Sequence, residues 1–342
     1  MSRPTIRDLA TAAGVSVTTV NRVIGQPGTV RQETMQRVLD AAREIGFYGV
    51  GALQYRVAAA RPRHRLGVVI QCPHRMFASS LARAIEAAAA SSEEGDVRLT
   101  IELLDDLAPE RVAARMLEVG AESDALAVLA AEHPLVTDAI ETLAAKEVPV
   151  VALISPLSAR TNVGFVGLDS WKVGRTAAWA LARMCRSAGK LGILVGTHRY
   201  RCHDIYESGF RSYFREHPGE LAVLEPLSTF ESDAIARELT EDLLRKHRDL
   251  VGLYVSGGGI GGVMAALRDS KHTEKPVTIG HDLMDTTKSG LLDGTLTLIL
   301  AHPFEAIARE TLSATIRAKK SGPEAGSQSV LVPFELYTSE NI

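Results

Sequence analysis

The sequence predicts an α/β protein in two parts. The first is an N-terminal three-helix domain of the helix-turn-helix type, and the second is a larger, two-lobed body of doubly wound parallel sheets. Three observations predict it. Residues 1–48 hold three short helical patterns, separated by Gly14 and by Gln26-Pro27-Gly28, and glycine and proline so placed punctuate helices. From Leu66 onward, β-rich apolar runs alternate with amphipathic stretches, the pattern of parallel strands covered by helices. Charge is also divided along the chain. Residues 1–65 carry ten arginines, no lysine and four acidic residues, a net of +6, and the remainder carries −9. A basic head on an acidic body suits phosphate binding at one end only.

A length of 342 residues suits two or three folding units. Cys72, Cys185 and Cys202 are far apart, odd in number and without metal-ligand spacing. That pattern argues for reduced thiols rather than a disulfide framework or a zinc site. The start, MSRPTIRDLA, shows no cationic region followed by an apolar stretch. No run reaches the roughly 18 apolar residues of a membrane helix. The expectation is a cytoplasmic protein with no membrane partner, no metal and no cofactor.

In the head, Thr5 with Asp8 forms a capping-box-like start, and Ile6, Leu9, Ala10 and Ala13 follow at helical spacing. Gly14 supplies a turn, and Ser16 caps a second helix through Val17, Val20, Val23 and Ile24. A third helix is expected from about Arg31 to Ile45, with Val38, Leu39, Ala42 and Ile45 inward. Two helices joined by a tight turn and braced by a third place the second in the DNA major groove, its N-terminal side chains leading. On it, Val17 can touch a thymine methyl, Thr18 and Asn21 can hydrogen-bond, and Arg22 can reach a guanine edge or a phosphate. A wet polar face on an ordinary three-helix bundle is the plainer alternative.

The run TIRDLATAAGVSVTTVNRVIGQPGTVRQETMQRVLDAAREIGFY (5–48) resembles the DNA-binding head of the lactose-repressor (LacI) family. The resemblance implies that Thr5, Ser16, Val17, Thr18, Thr19, Asn21, Arg22, Thr29 and Arg31 face double-stranded operator DNA. Asn21 stands where the family commonly has Ser, a change expected to alter base preference. Residues 49–65, GVGALQYRVAAARPRHR, stand where family members carry a hinge helix that folds on DNA and pushes a Leu into the minor groove. The segment departs from the usual Asn-x-x-Ala-Arg-x-Leu pattern and is about two residues longer. Leu53 and Val57 are the wedge candidates, and the glycines and Pro62 predict a floppy linker without DNA.

In the body, strands are expected at 66–71, 97–104, 125–130, 148–154, 190–195, 221–229, 251–256, 276–280 and 295–300. Helices are expected at 78–91, 109–119, 134–146, 172–186, 203–216 and 232–246. The similar strand spacing on either side of residue 165 suggests two alike lobes, resembling the family's periplasmic-binding-protein-like body. The division is 1–48 for the head, 49–65 for the linker and 66–342 for the effector-binding domain. Lobe 1 takes about 66–165 and 304–328, and lobe 2 about 166–302 and 329–342. Segments near 163–167, 300–304 and 325–330 are expected to cross between lobes. Ligands in such folds bind where strand-end loops converge.

A sugar, polyol or sugar acid calls for polar groups around its rim and an aromatic platform. By resemblance, Phe77 is the stacking ring, Asp169 in VGLDSWKVG and Asp282 in TIGHDL accept from hydroxyls, and His302 in LAHPF replaces a common Gln. Trp171 and Tyr206 are further aromatic candidates. Each has a plainer reading: Asp169 as a helix N-cap, Phe77 as core, His302 bonded to a carbonyl. The family's binding Arg is replaced at Tyr206-Glu207-Ser208-Gly209-Phe210, and Arg199 and Arg201 are candidates to substitute for it. The arginine and histidine content of these loops leans toward an acidic ligand. The family's Asn-Asp gives way to Ser256-Gly257-Gly258-Gly259.

The resemblance implies a homodimeric repressor released from its operator by its effector. A purine-type corepressor is the alternative within the same class. A rival from another class is an NAD-binding enzyme, because Gly257-x-Gly259-x-x-Gly262 follows a strand and opens a helix, with Asp282 beyond it. A periplasmic solute carrier would suit the body but not the basic head. No Gly-x-Ser-x-Gly elbow or Cys–His signature supports catalysis, and the chain is not expected to be an enzyme.

Overall fold

A computed structural model describes residues 3–271, 275–322, 326 and 328–342. The chain divides into two compact units, Met1–His64 with Ser92–Val97, and Arg65–Ser91 with Arg98–Ile342.

The first unit holds α1 (Ile6–Ala12), α2 (Val17–Gly25), a 3-10 turn at Pro27–Thr29, α3 (Gln32–Glu44) and α4 (Val50–Ala59). Thr5 and Asp8 close a reciprocal capping box on α1. Gly14 makes the turn in the left-handed region at φ 60°, and the Ser16 side chain accepts from the Thr19 amide to start α2. Leu9, Val20, Val23, Met35, Val38, Leu39 and Phe47 form the buried core.

The linker differs from expectation. Residues 50–59 are helical, and both wedge candidates are core: Leu53 is 2% and Val57 3% exposed, in the same cluster as α1–α3. The reason is spacing. Val50, Leu53, Val57 and Ala60 form one apolar stripe, and of the linker's glycines Gly49 is the N-cap of α4 and Gly51 lies in its first turn, outside the middle of the helix.

The second unit contains two parallel sheets. In chain order its elements are β1 (Arg63–Gln71), α5 (Arg75–Ala90), β2 (Asp96–Leu104), α6 (Pro109–Ala121), β3 (Ala125–Leu129), α7 (Pro134–Ala145), β4 (Val150–Leu153) and β5 (Gly164–Gly167). There follow α8 (Ser170–Met184), β6 (Gly189–Val195), α9 (Arg201–Glu216), β7 (Leu221–Val223), β8 (Leu227–Ser228), α10 (Asp233–Lys246), β9 (Leu250–Ser256) and α11 (Ile260–Asp269). The chain ends with β10 (Val277–His281), α12 (Asp285–Leu292), β11 (Leu298–Ala301), α13 (Phe304–Ser321), β12 (Ser329–Leu331) and β13 (Glu335–Tyr337). Lobe 1 is the sheet β12-β5-β4-β3-β1-β2, and lobe 2 the sheet β13-β11-β10-β9-β6-β7, with β8 also on β6. The central strands are buried throughout, as parallel strands covered on both faces must be. Among the described residues no helix is long and apolar enough to cross a membrane.

The sheets move the expected lobe boundaries. Residues 164–167 and 329–331 pair with each other in lobe 1, and 335–337 add antiparallel to β11 in lobe 2. The chain therefore crosses between lobes just after β5, just after β11 and between β12 and β13, the first and third crossings lying later than expected. The expected strand 221–229 is two short strands, broken around Pro226, which has no amide to donate.

Candidate functional site

On the head, α2 presents Val17 (40% exposed), Thr18 and Asn21 to solvent at its leading end and first turn. Ser16 and Thr19 bond each other, with the Thr19 amide also donating to Ser16 Oγ at 3.1 Å, so their side chains serve the cap. Thr5 is likewise occupied by Asp8. Arg22 is exposed, but its guanidinium donates to Thr29 Oγ1 at 3.2 Å and Thr29 O at 2.6 Å. It braces α2 against the 3-10 turn and holds a positive charge beside the outward face of α2. Arg31 is exposed at the N-cap of α3. The structure thus brings the nine head candidates onto one domain, with Val17, Thr18 and Asn21 as its outward face.

In the body, the C-terminal strand ends of both lobes converge on a cavity of about 360 Å³. Four of the eight expected ligand residues line it: Phe77, Tyr206, Asp282 and His302. Phe77, in the first turn of α5, stands edge-on to His302 and Phe304 at 5.7 and 5.2 Å between ring centroids. Tyr206 on α9 is 2% exposed, with its ring 4.9 Å from that of His281. Tyr206 comes this close because α8 and α9 pack backbone to backbone: a Cβ on Gly174 would fall 2.0 Å from Tyr206 O, and one on Gly209 2.4 Å from Trp171 O.

Asp282 adopts φ 59° at the end of β10, which turns its carboxylate toward His302. The His302 amide and Nδ1 donate to Asp282 Oδ1 at 2.9 and 2.7 Å. Burial pushes the Asp282 pKa up, but the charge and hydrogen bonds of His302 outweigh it and hold the carboxyl below its usual range. His281, bonded to Tyr254 Oη at 2.9 Å, is pushed down by burial to about 3 and is a neutral imidazole at physiological pH.

The other four candidates lie elsewhere. Asp169 caps α8, accepting from the Lys172 amide at 3.1 Å and pairing with Lys172 Nζ. Trp171 is 41% exposed on the outer side of α8, in a shallow depression with Leu157 and Leu331. Arg199 Nη1 donates to Leu107 O and Arg201 Nη1 to Ser158 Oγ. Neither arginine lines the cavity; of the arginine and histidine content that leaned toward an acidic ligand, only the histidines, His74, His203, His281 and His302, reach it. Both arginines belong instead to a segment that ties the lobes together. Across residues 199–202 the Glu132 amide donates to Arg199 O, Tyr200 Oη to Gln71 O at 2.6 Å, and the Cys202 amide to Ser155 Oγ.

Sequence reasoning missed Cys72, His74, His203, Glu231 and His281 in the cavity wall. Each ends a strand, follows one or opens the next helix, so strand-end position was the available signal. His74 of lobe 1 reaches across to Glu231 of lobe 2, with Nε2 3.3 Å from Oε2. The bond to Glu231 raises the His74 pKa. Burial raises the Glu231 carboxyl, but the His74 bond and the nearby histidines prevail and lower it. Burial pushes the Cys72 and Cys202 thiols up to about 12, so neither is a thiolate nucleophile. Five non-glycine residues among those described have positive φ, and three of them, Ile154, Glu231 and Asp282, line this cavity. Backbone strain collects where a site demands it.

Two amides of the glycine run are taken by carboxylates of the chain itself. The Gly258 amide donates to Glu231 Oε2 at 3.0 Å and the Gly262 amide to Asp233 Oδ1 at 3.2 Å. Donors that would face a pyrophosphate already hold the chain's own carboxylates, whose charge repels one.

Comparison with known proteins agrees with this geometry. Residues 5–49 match the family described as bacterial regulatory proteins, lacI family, and residues 68–322 match the periplasmic binding protein domain. The chain is 26% identical over 184 residues to the HTH-type transcriptional regulator DegA of Bacillus subtilis (strain 168), an alignment covering 52% of this chain and 51% of DegA. It is 37% identical over 68 residues to the HTH-type transcriptional regulator GntR of Pseudomonas aeruginosa, covering 20% of this chain and 19% of GntR. The chain therefore spans about half the length of the one relative and about a fifth of the other. In fold, it superposes on GanP, a glucose-galactose binding protein from Geobacillus stearothermophilus, with TM-score 0.74 at 16% identity, over 82% of this chain and 99% of that one. A solute binding protein from Bacillus halodurans with bound myo-inositol gives TM-score 0.70 at 16% identity, over 81% and 95%. The chain belongs to the lacI family of bacterial regulatory proteins, a helix-turn-helix head joined to a periplasmic binding protein domain.

Proposed function

We propose that this chain is a transcription repressor that binds double-stranded operator DNA as a homodimer and is released by a sugar-type effector in the body's cavity. The observation that carries the reading is the outward face of α2, where Val17, Thr18 and Asn21 stand exposed on a capped, arginine-rich head. Those side chains suit base edges in the major groove, and the arginines suit phosphates. Solute-binding proteins of the same fold, including a glucose-galactose binding protein and one with bound myo-inositol, support a hydroxyl-rich ligand for the cavity. Arg22, Thr29 and Arg31 position and hold the phosphate backbone. Leu53 and Val57 are not assigned a wedge role, because the head's core uses them.

Ligand acts by binding two arrangements of the lobes unequally, since equal binding shifts nothing. The test is selection of full-length protein against randomised duplexes at about physiological salt. The expected product is an inverted repeat, read once by each protomer. Asn21→Ala then relaxes base choice at one position of each half-site, at a cost of about 1–3 kcal/mol per base pair. Failure to enrich any sequence would overturn the DNA-reading proposal.

A further inference from the structure

The chain goes to unusual lengths to seat one carboxylate in the cleft. Phe230 and Glu231 are consecutive non-glycine residues in the left-handed region, at φ 52° and 62°. Such conformations cost free energy and persist only where surrounding structure imposes them. Two glycines leave the room: a Cβ on Gly196 would fall 1.9 Å from Glu231 Oε1, and one on Gly258 would fall 2.2 Å from Oε2. The Gly258 amide fixes Oε2, and His74 meets the same oxygen from the opposite lobe. The Glu231 side chain is 4% exposed and lines the cavity. Its Oε1 has no hydrogen-bond partner among the described residues. On the side of its own lobe, His203 Nδ1 is 3.9 Å away and bonded to Thr197 O at 2.9 Å. An ionised carboxylate is acceptor-only, so a free oxygen there calls for a donor.

The geometry points to Glu231 as a specificity-determining residue of the effector site: it takes a hydroxyl or ammonium group of the effector and rejects a carboxylate or phosphate at that position. This rests on the effector reading above and narrows it to ligands that present a donor where a sugar acid or sugar phosphate would present charge. The site works from both lobes, because the oxygen that accepts from the ligand shares its carboxylate with the His74 contact. Anion rejection follows from charge at Oε1: His74 sits against Oε2, so an anionic group that meets Oε1 faces the ionised carboxylate directly and is repelled at low effective dielectric.

The test is thermal shift of the full-length protein against matched sets of neutral sugars and polyols, their amino derivatives, their acids and their phosphates. Examples are glucose, glucosamine, gluconate and glucose 6-phosphate, with parallel sets built on galactose, ribose and inositol. Stabilisation by a neutral or amino member over its own acid and phosphate is the expected result. With that member as probe, Glu231→Gln lowers affinity on the order of tenfold to a hundredfold and narrows the gap between the probe and its acid. Gly258→Ala provides a second route, since its Cβ displaces both Glu231 Oε2 and His74 Nε2 without changing charge, and it weakens the same probe. An acid or phosphate that binds better than its neutral parent overturns the assignment and leaves the effector reading standing. So does unaltered probe affinity in both variants. Silence across the whole panel overturns the assignment and the sugar-type effector together, while duplex selection judges the DNA half separately.

Discussion

Leu53→Ala separates a core residue from a DNA wedge. Leu53 is 2% exposed and packs in one cluster with Val20, Val38, Leu39 and Phe47. Truncating a buried leucine removes its transfer free energy and leaves a cavity, together about 2–5 kcal/mol. A head of this size holds roughly 3–9 kcal/mol of stability at about 0.05–0.15 kcal/mol per residue, so a loss near 3 kcal/mol is a large share. At about 1.4 kcal/mol per factor of ten, protection of the slowest head amides should fall by about a hundredfold. Hydrogen exchange of the full-length protein, followed by mass spectrometry on peptides from α1 to α3, reads this directly. Body peptides should not change. Unchanged head protection alongside lost operator affinity would show that Leu53 is free to act as a wedge and would refute the core assignment.

Two further perturbations probe the body. His281→Phe removes an imidazole whose pKa burial has lowered from about 6.5 to about 3. A depressed pKa contributes stability that is present above the unfolded value and lost as pH falls through the folded one. The variant should therefore melt lower than wild type at pH 7.5, where it orphans Tyr254 Oη, yet lose less stability between pH 6.5 and 4; equal acid sensitivity in calorimetric melts would count against the neutral imidazole. Gly174→Ala places a Cβ 2.0 Å from Tyr206 O, so α8 and α9 must part. Urea unfolding should show a loss of about 1–3 kcal/mol or more, and a wild-type midpoint would show that this helix pair yields easily.

Sequence patterns carried the head and the strand–helix alternation because both rest on local rules. Caps at Thr5 and Ser16, the turn at Gly14 and the periodic apolar residues of α1 to α3 all appear as read. In the linker, glycine content points to a floppy segment, but the Val50, Leu53, Val57 stripe makes it a helix, an effect that depends on a neighbouring apolar surface. The same division holds in the cleft. Motif position points to Phe77, Tyr206, Asp282 and His302, and all four line the cavity. It does not point to Glu231, whose role depends on a left-handed turn and on space left by Gly196 and Gly258, more than 20 residues away in each direction. Arg199 and Arg201 were attractive by charge, but their guanidinium groups go to Leu107 O and Ser158 Oγ. Likewise the glycine run has the spacing of a phosphate cradle, and only the folded chain shows its amides occupied by Glu231 and Asp233.

The segment from Arg199 to Cys202, where the chain enters α9, sets a scale for how the body responds to ligand. Five hydrogen bonds run from it to Gln71, Leu107, Glu132, Ser155 and Ser158 of the other lobe. At a net of about 1 kcal/mol each, parting the lobes along this line costs about 5 kcal/mol, which leaves the parted form at roughly one molecule in several thousand. A molecule that works by prising the lobes apart must favour the rare form by about that whole amount to dominate the population. One that works within the joined form meets no such threshold, and modest contacts suffice to tilt the balance. The bonds of this one short segment therefore weigh on which direction of change is the easy one.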